Sequence, residues 1–387
     1  MADQTANNPT SIHDEIATIF VAMELSLKNW LVAISDPLGS RVSKYSVRPG
    51  DSAKVLELIE KRISKVHRVL QETVQVVSCY EAGYEGFWLH RVLDAAGVKN
   101  VVIDPASLLV NRRARQRKTD RIDLHRLLRA LRAHLRGDKE DSFSVVQVPS
   151  VEQEDSKRPN REHDRLIKER NGHTNRIKAL LVLQGIYWTR PQSRGFRATL
   201  GELRCADNSP LPEHVKAEIE RDLDRLELIE RHLALVDNQR RTAIVGPAER
   251  GSTKHMIQAL TRLKGLDLEG PTVLVNEVFY RGFNNRREIA SYVGFDGTPF
   301  DSGGSRREQG ISKAGNARAR KVMNQLAWLW LRYQPGSALS KWFRERVGDA
   351  KGRLRRIMIV ALARKLLIAL WRFATEGLIP EGAVFKS

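Results

Sequence analysis

The chain has 387 residues, a formal net charge of +19 and a sequence pI of about 10.1. This length is enough for two or three domains that each bury a core, and the strong positive charge predicts a polyanionic partner. No apolar run approaches the roughly 20 residues of a membrane span, and the first residues lack the pattern of a signal peptide. Because two cysteines exclude a disulfide framework and a cysteine zinc site, we expect a cytoplasmic protein.

The first 150 residues show strand and helix patterns that follow one another as in an α/β domain. Short apolar runs predict strands, and apolar residues at three- and four-residue spacing predict helices. The predicted strands cover 19–26, 29–35, 41–47, 74–80 and 98–104, and the predicted helices cover 51–73, 84–96 and 120–136. A two-residue turn at Leu27 and Lys28 joins the first two strands in this prediction. Three meandering strands followed by strand–helix alternation are typical of ribonuclease-H-like domains, which predicts such a domain over 15–150.

The middle of the chain is predicted to form a helical arm over 151–250. Residues 153–181 are polar and helical, and residues 211–240 place apolar side chains at three- and four-residue spacing between charged ones. This narrow apolar seam predicts a helical hairpin or coiled coil that serves dimerisation or spacing. A single amphipathic helix on a globular body is the alternative that the pattern leaves open.

The last part of the chain, 251–380, is predicted to be a mainly helical domain. Residues 257–278 resemble a helix, a glycine-containing hairpin and a second helix, a motif that often presents backbone N–H groups to phosphate. Residues 297–320 are predicted to form a loop. A helical segment at 321–333 and a last pair of helices over 338–375 follow it.

The positive charge is concentrated in two stretches. Residues 111–136 hold nine Arg and one Lys against Asp120 and Asp123, a net charge of +8, and residues 303–365 have a net charge of +13. Scattered solubilising charge would not be focused in this way, and a membrane is a weaker partner because the basic residues alternate with core-like apolar ones. Nucleic acid is therefore the predicted partner. The residues predicted to contact its backbone are Arg112, Arg113, Arg115, Arg117, Lys118, Arg306, Arg307, Lys313, Arg318 and Arg320.

Four acidic residues lie on elements that converge in a ribonuclease-H-like sheet. Glu24 lies near the end of the first predicted strand and Glu81 at the end of the fourth, while Asp120 and Asp123 begin a helix at i and i+3 spacing. Carboxylates around one point repel each other without cations, and their hard oxygen atoms suit Mg²⁺ ions that flank a scissile phosphate. Helix capping is the alternative role for Asp120 and Asp123. All four acids beside the basic stretch favour a metal site.

Ser302 is the second candidate for chemistry. It lies in the sequence FDSGGSRR, where glycines expose its hydroxyl and let the backbone approach a phosphate. The flanking Arg306 and Arg307 would stabilise negative charge that builds at phosphorus. Serine is a weak nucleophile without a base or a metal, and an ordinary surface loop is the alternative interpretation of the same residues.

Longer motifs resemble one family of bacterial transposases. AMELSLKNW (22–30), YEAG (80–83) and KTDRIDLHRL (118–127) resemble the RuvC-like DEDD domain of the insertion-sequence family numbered one hundred and ten. LKGLDLEGPTVLVNEV (263–278), REIASYVGFDGTPFDSGG (287–304) and GISKAGNARARKVM (310–323) resemble the family's serine-bearing domain. The similarity covers most of the chain, and TDxxD followed by SKxGNxxxR is fairly specific in combination.

The resemblance implies a DNA recombinase that is guided by RNA. It implies that Glu24, Glu81, Asp120 and Asp123 occupy the metal-binding positions. It also implies that Ser302 attacks DNA and forms a covalent 5′-phosphoserine link. The first acid of the family is Asp, whereas this chain has Glu24, and Mg²⁺ tolerates poor octahedral geometry badly.

These inferences combine into a DNA transposase that uses Mg²⁺, or Mn²⁺, and moves its own element. Its expected partners are the element ends, the target DNA and a guide RNA, bound by a homodimer or tetramer at the bacterial nucleoid. Two alternatives remain open. A junction-resolving endonuclease would use only the carboxylates and water, which leaves Ser302 no role. A catalytically decayed transposase would bind nucleic acid without cleaving it, and Glu24 is the feature that favours this alternative.

Overall fold

The computed structural model describes residues 17–107, 120–138, 143–302 and 305–386. The chain divides into two compact units, 1–149 and 150–387. The predicted arm (151–250) and the predicted C-terminal domain (251–380) therefore lie within one unit. The basic run that contains Arg112, Arg113, Arg115, Arg117 and Lys118 lies outside the described residues.

The first unit contains a five-stranded mixed sheet, which confirms the predicted α/β class and is consistent with a DEDD nuclease-like fold. The strands are β1 (Ala17–Leu25), β2 (Trp30–Ser35), β3 (Ser43–Val47), β4 (Val74–Glu81) and β5 (Lys99–Ile103). Their order in the sheet is β3-β2-β1-β4-β5. The first three strands pair antiparallel, as the meander predicted, and β4 and β5 add in parallel to β1.

Helices cover both faces of this sheet. They are α1 (Ser52–Leu70), α2 (Trp88–Ala95) and α3 (Asp120–Leu135). Alternate residues of each strand point to opposite faces, so that Val21 and Met23 pack with α1 and α2, whereas Ala22 and Cys79 pack with the apolar side of α3. This burial on both faces explains the near-continuous apolar runs of β1 and β4.

The link between β1 and β2 has four residues, so the prediction of a two-residue turn at Leu27 and Lys28 is wrong. The hydroxyl of Ser26 accepts hydrogen bonds from the N–H groups of Lys28 and Asn29 and donates one to the carbonyl of Asn29. These side-chain bonds replace strand pairing, which stops at Leu25 and resumes at Trp30.

The second unit begins with helices, as the middle of the sequence predicted. They are α4 (Val151–Asp155), α5 (Arg158–Val182), α6 (Phe196–Thr199) and α7 (Glu213–Thr242). The long helices α5 and α7 pack against each other through two apolar clusters. One cluster contains Leu166 and Leu233, and the other contains Ile177 and Leu223. The predicted seam is thus buried between two helices, while a coiled-coil geometry stays a prediction.

The rest of the second unit is a helical bundle with one hairpin. Its helices are α8 (Thr253–Thr261), α9 (Glu269–Leu274), α10 (Arg286–Val293), α11 (Ala317–Tyr333), α12 (Ala338–Val347) and α13 (Arg353–Glu376), and a π-helical segment (Val275–Phe279) continues α9. The bundle core includes Trp330 and Leu370, which are fully buried. Among the described helices, none is long and apolar enough to cross a membrane.

Part of the segment 297–320, predicted as a loop, forms a β-hairpin. Strands β6 (Gly297–Ser302) and β7 (Ser305–Ile311) pair antiparallel, with Phe300 opposite Arg307 and Ser302 opposite Ser305. The loop prediction is wrong for 297–302 and 305–311, because these two segments pair as strands. Two glycines between alternating residues are also typical of a hairpin connection.

Candidate active site

Glu24 and Glu81 lie side by side at the carboxyl edge of the sheet. Their predecessors, Met23 and Tyr80, are Cα partners in the parallel pairing of β1 with β4. Ala22 and Cys79 lie on the face of the sheet that α3 covers. Glu24 is two residues after Ala22, and Glu81 is two residues after Cys79. The period of two therefore places both acids on that same face. Glu24 is half-buried and Glu81 is exposed.

Helix α3 runs antiparallel to β1 and β4, so its first turn lies toward this edge. The Cys79 thiol is 3.9 Å from the carbonyl of Leu127 in the middle of the helix. Arg132, further along, reaches the opposite edge, where its guanidinium bonds Ser35 and stacks 5.2 Å from the ring centre of Phe20. From Leu127 the helix rises about 6 Å back toward its start, and the strand advances about 6.6 Å from Cys79 to Glu81.

The backbone of Asp123 is therefore about level with Glu81, and Asp120 lies one turn beyond. The side chains of Asp120 and Asp123 lie outside the described residues. The structure thus brings together the chain segments that carry all four predicted acids, on one face of one sheet edge. It adds one neighbouring acid that the sequence did not single out, because Asp104 directly follows β5. Since Ile103 belongs to the α3-covered face, the alternation assigns Asp104 to the other face.

Cys79 lies beneath the two glutamates but is not a metal ligand of the usual kind. Burial, together with the nearby Glu81 carboxylate, raises the pKa of its thiol far above the ordinary value. The thiol therefore stays protonated. Because thiolate is the form that binds metals, Cys79 is a core residue and not a ligand. The donors at this edge are carboxylate oxygens, the ligand type that Mg²⁺ and Mn²⁺ prefer.

A separate group of three metal-binding side chains occurs in the second unit. Donor atoms of His163, Asp164 and Glu269 lie within 4.8 Å of one another. The Asp164 carboxylate already forms an ion pair with Arg318, with Oδ2 2.5 Å from Nη1. His163 lies 3.6 Å from a carboxylate oxygen of Asp237. Because a guanidinium already neutralises Asp164, this group is a weaker cation site than its composition indicates.

Ser302 lies at the end of β6, next to the connection of the hairpin. Its Cα partner is Ser305, the first residue of β7. The side chains of Ser302, Arg306 and Arg307 lie outside the described residues. The backbone nevertheless places the serine at the tip of a two-stranded hairpin, which is a defined support rather than an irregular loop.

Two glycines close the base of this hairpin. Gly294 follows α10 with a φ of +79°, and Gly315 precedes α11 with a φ of +94°. A Cβ at Gly294 would lie 1.9 Å from the carbonyl oxygen of Ala314, and a Cβ at Gly315 would lie 2.2 Å from that of Tyr292. The N–H of Asn316 also donates to the Tyr292 carbonyl at 2.9 Å. At the base of the hairpin, before β6 and after β7, two backbone segments thus approach each other so closely that only glycine fits.

Three of the predicted basic contacts have described side chains. Lys313 is exposed, with a φ of +56°. Arg318 donates to the carbonyl of Asn160 at 3.1 Å and pairs with Asp164, and Arg320 donates to the carbonyl of Val293 at 2.8 Å. Because both arginines have internal partners, nucleic-acid binding through them stays a prediction.

The hairpin between α8 and α9 is partly covered by the end of the chain. The N–H of Lys264 donates to the carbonyl of Val384 at 2.9 Å, and Leu263 forms an isolated β-bridge with Phe385. Gly265, with a φ of +88°, packs against the ring of Tyr333. The Lys264 N–H is thus already occupied, so binding of phosphate by this hairpin stays a prediction.

Sequence reasoning missed a buried carboxylate in the π-helical segment. Glu277 is 4% exposed and accepts two hydrogen bonds from Arg161 of α5, from Nε at 2.8 Å and from Nη2 at 2.9 Å. Burial opposes its ionisation, but the hydrogen bonds from Arg161 and the positive charges of Arg161, Lys157 and Arg318 together outweigh it and hold the pKa of Glu277 below the ordinary value. Lys157, also buried, lies 4.0 Å from the ring centre of Tyr280. These contacts join the first turns of α5 to the helical bundle.

Known proteins with similar sequences are transposases. Residues 26–186 match a DEDD transposase model of the IS110 group, and residues 257–342 match the model described as Transposase IS116/IS110/IS902 family. "Putative transposase y4rJ" of Sinorhizobium fredii is 42% identical over 393 residues, which covers 100% of this chain and 99% of that relative. The transposase for insertion sequence element IS1111A of Coxiella burnetii is 26% identical over 320 residues, which covers 82% of each chain.

The sheet with its acidic edge and the helical unit with its glycine-closed β-hairpin define a transposase of the DEDD class. The chain belongs to the IS110 family of transposases, as the resemblance of its motifs predicted. Glu81, Asp120 and Asp123 fall inside the first matched segment and Ser302 inside the second, while Glu24 lies two residues before the first match. Membership of this family implies that the protein binds, cleaves and rejoins DNA.

Proposed function

We propose that this transposase cuts and rejoins DNA through a serine–phosphate intermediate, assisted by a divalent cation at the carboxylate edge of the sheet. One observation carries the proposal. The end of β1, the end of β4 and the start of α3 meet on one face of one edge, and each of these segments contributes acidic residues. An arrangement of four carboxylates without a cation would be destabilised by their mutual repulsion.

Glu24, Glu81, Asp120 and Asp123 are the residues that would hold Mg²⁺ or Mn²⁺. Their donors are all hard oxygen atoms, and the protonated Cys79 thiol does not compete with them. When bound, the cation stabilises the negative charge that develops on the transferring phosphoryl group. The task of the protein is to hold the four carboxylates in place, and the packing of α3 on β1 and β4 fixes their backbones for it.

Ser302 supplies the nucleophile in this proposal. Its Oγ forms a bond to phosphorus while the bond from phosphorus to the 3′-oxygen breaks, which leaves the 5′ end of the strand on the serine and releases a 3′-hydroxyl. The serine proton passes to water, and water returns a proton to the departing 3′-oxygen, which therefore leaves as a hydroxyl. Attack by the 3′-hydroxyl of another strand reverses these steps, so one phosphodiester bond forms for each one broken. Arg306 and Arg307 would offset the negative charge at phosphorus.

The basic stretches would bind the backbones of DNA and of a guide RNA. Lys313, beside the hairpin base, and the run from Arg112 to Lys118 are the residues we assign to this task. Homodimers or tetramers, assembled through α5 and α7, would bring two DNA sites together. Binding of this electrostatic kind weakens steeply as salt concentration rises.

Trapping of a covalent protein–DNA adduct tests the proposal. Purified protein, guide RNA and labelled element ends are incubated with Mg²⁺ and separated on a denaturing gel. The unmodified chain forms an adduct that protease digestion removes, whereas Ser302→Ala forms none and Asp120→Asn forms little. Ser305→Ala, the Cα partner across the hairpin, is the matched control and retains the adduct. Cleaved DNA without any adduct in the unmodified chain would contradict the serine step and favour a junction-resolving endonuclease.

Glu24 favours a second candidate function, that of a decayed transposase which binds nucleic acid without cutting it. The extra methylene of Glu relative to Asp displaces the carboxylate that Mg²⁺ requires in octahedral geometry. If Glu24→Asp converts an inactive chain into one that cleaves, the decayed alternative is correct for this copy. The decayed alternative is excluded if the unmodified chain cleaves DNA and Glu24→Asp does not increase that cleavage.

A further inference from the structure

The loop at the far end of α5 exposes two adjacent aromatic side chains. Trp188 is 98% exposed and Tyr187 is 61% exposed, and Leu183, directly after the helix, is 78% exposed. Single exposed apolar residues are ordinary on protein surfaces, whereas several large ones in a short segment mark a binding surface. We call Leu183, Tyr187 and Trp188 the arm tip, because α5 extends for about 37 Å.

The loop that displays the arm tip is held on both sides. Before it, Gly185 has a φ of +78°, and a Cβ there would lie 2.5 Å from the Cβ of Ala206 in the neighbouring loop. After it, Pro191 is buried, and the Nε2 of Gln192 donates to the hydroxyl of Thr174 on α5 at 2.8 Å. The aromatic pair therefore projects from a built loop, not from a loose one.

The backbone of Trp188 is in a conformation that tryptophan rarely adopts. Its φ is +60°, in the left-handed region where Gly and Asn are favoured and bulky side chains are strained. Packing of the side chain does not offset this strain, because the side chain is almost wholly exposed. Neither backbone preference nor burial accounts for a tryptophan at this position, whereas contact with a ligand does.

The charge around the arm tip identifies the kind of ligand. The loop at 183–195 contains two arginines, Arg190 and Arg194, and no acidic residue, whereas Arg176 and Arg197 beside it are paired with acids of α7. Arg190 and Arg194 are exposed, and within the described part of the chain they form no ion pair. Exposed aromatic rings beside uncompensated guanidinium groups are the combination that binds unpaired nucleotides, since rings stack on bases and arginine bonds phosphate.

Two other occupants fit less well. A second copy of this chain, bound tip to tip, would bring together two surfaces of the same positive sign. A fully paired duplex offers phosphates to the arginines but no free base face to the rings, because its bases are stacked on each other. The observations therefore favour single-stranded nucleic acid.

We propose that the arm tip stacks on an unpaired nucleobase of single-stranded RNA or DNA, while Arg190 and Arg194 contact the flanking phosphates. The inference rests on the nucleic-acid chemistry of the transposase family and is independent of the serine and metal steps proposed above. Binding at the arm tip requires neither cleavage nor a divalent cation, so the two proposals can fail separately.

Equilibrium binding of the full chain to short labelled oligonucleotides, without divalent cations, tests the inference. Single-stranded RNA, single-stranded DNA of the same sequence and the DNA duplex are compared at one salt concentration. Tyr187→Ala combined with Trp188→Ala is expected to weaken single-strand binding by at least about fivefold and to leave duplex binding unchanged. Trp188→Phe, which keeps a stacking ring, retains most of the affinity. Whichever single strand loses more affinity identifies RNA or DNA as the ligand.

Val69→Ala is the matched control, because Val69 is a 59% exposed apolar residue of α1 outside the arm tip and outside the helices assigned to assembly. It should change neither affinity, and thermal unfolding of all variants should match that of the unmodified chain. Equal losses for single strands and duplex would overturn the inference in favour of general electrostatic binding. An altered oligomeric state with unchanged single-strand binding would also overturn it and identify the arm tip as a contact between copies of the chain.

Discussion

Substitution of Gly315 by alanine tests how the hairpin that carries Ser302 is held. At a φ of +94°, an L side chain costs about 1–2 kcal/mol whatever the space around it. The new Cβ would also lie 2.2 Å from the carbonyl oxygen of Tyr292, so the backbone must shift, which costs about 1–3 kcal/mol more. The expected loss in the free energy of unfolding is therefore about 2–5 kcal/mol.

Gly310→Ala separates the two contributions. Gly310 lies in β7 with a φ of +91°, but nothing is within 4 Å of its would-be Cβ. This control should lose only the conformational cost, about 1–2 kcal/mol. Thermal unfolding of both variants, followed by circular dichroism, should place Gly315→Ala about 2–12 °C below Gly310→Ala.

Adduct formation provides the functional readout of the same pair. Because Gly315 closes the hairpin base, its variant should lose most serine–DNA adduct at temperatures where it is still folded, whereas Gly310→Ala keeps it. Equal melting temperatures for the two variants would refute the reasoning, since the close backbone approach at Gly315 would then carry no energetic weight.

Three further predictions concern other parts of the chain. Glu277→Gln should lower the free energy of unfolding by about 1–3 kcal/mol. This loss is smaller than that expected on breaking a fully buried ion pair, because Arg161 is half-exposed. Since the pKa of Glu277 is lowered by folding, this stabilisation is complete above about pH 5 and disappears as the pH falls through the folded pKa, as urea unfolding at several pH values should show. Asp120→Asn should abolish a Mg²⁺-dependent rise in melting temperature that Asp94→Asn, on the exposed side of α2, leaves intact; a rise that survives in Asp120→Asn rules out the carboxylate site. Trp188→Gly should leave the melting temperature unchanged or slightly higher, and a clear drop would show that the ring packs in the fold.

Much of the first unit could be predicted from the sequence because its signals are local. Apolar runs and helical spacing read within short windows are enough to place β1, β4 and α3. The meeting of Glu24 with Glu81 could also be anticipated, since parallel strands of such a sheet end at the same edge. The register that pairs Met23 with Tyr80 agrees with that expectation.

Other features depend on which surfaces meet far apart in the chain. Arg161 and Glu277 are 116 residues apart, and nothing in their neighbourhoods distinguishes them from the many other charged residues of this protein. The same holds for the Lys264 N–H, because its partner, the carbonyl of Val384, lies far later in the chain. No window of sequence contains both partners, so only tertiary packing decides such contacts.

By itself, the sequence determined the class of protein, the α/β class of its first unit and the residues on which chemistry is expected. It did so because charge, periodicity and motif spacing are properties of neighbouring residues. Tertiary structure alone decided that the predicted loop around Ser302 is a hairpin closed by Gly294 and Gly315, and that Trp188 projects from a built loop. Both depend on backbone conformation and on close approach between distant segments, which residue types constrain but do not specify.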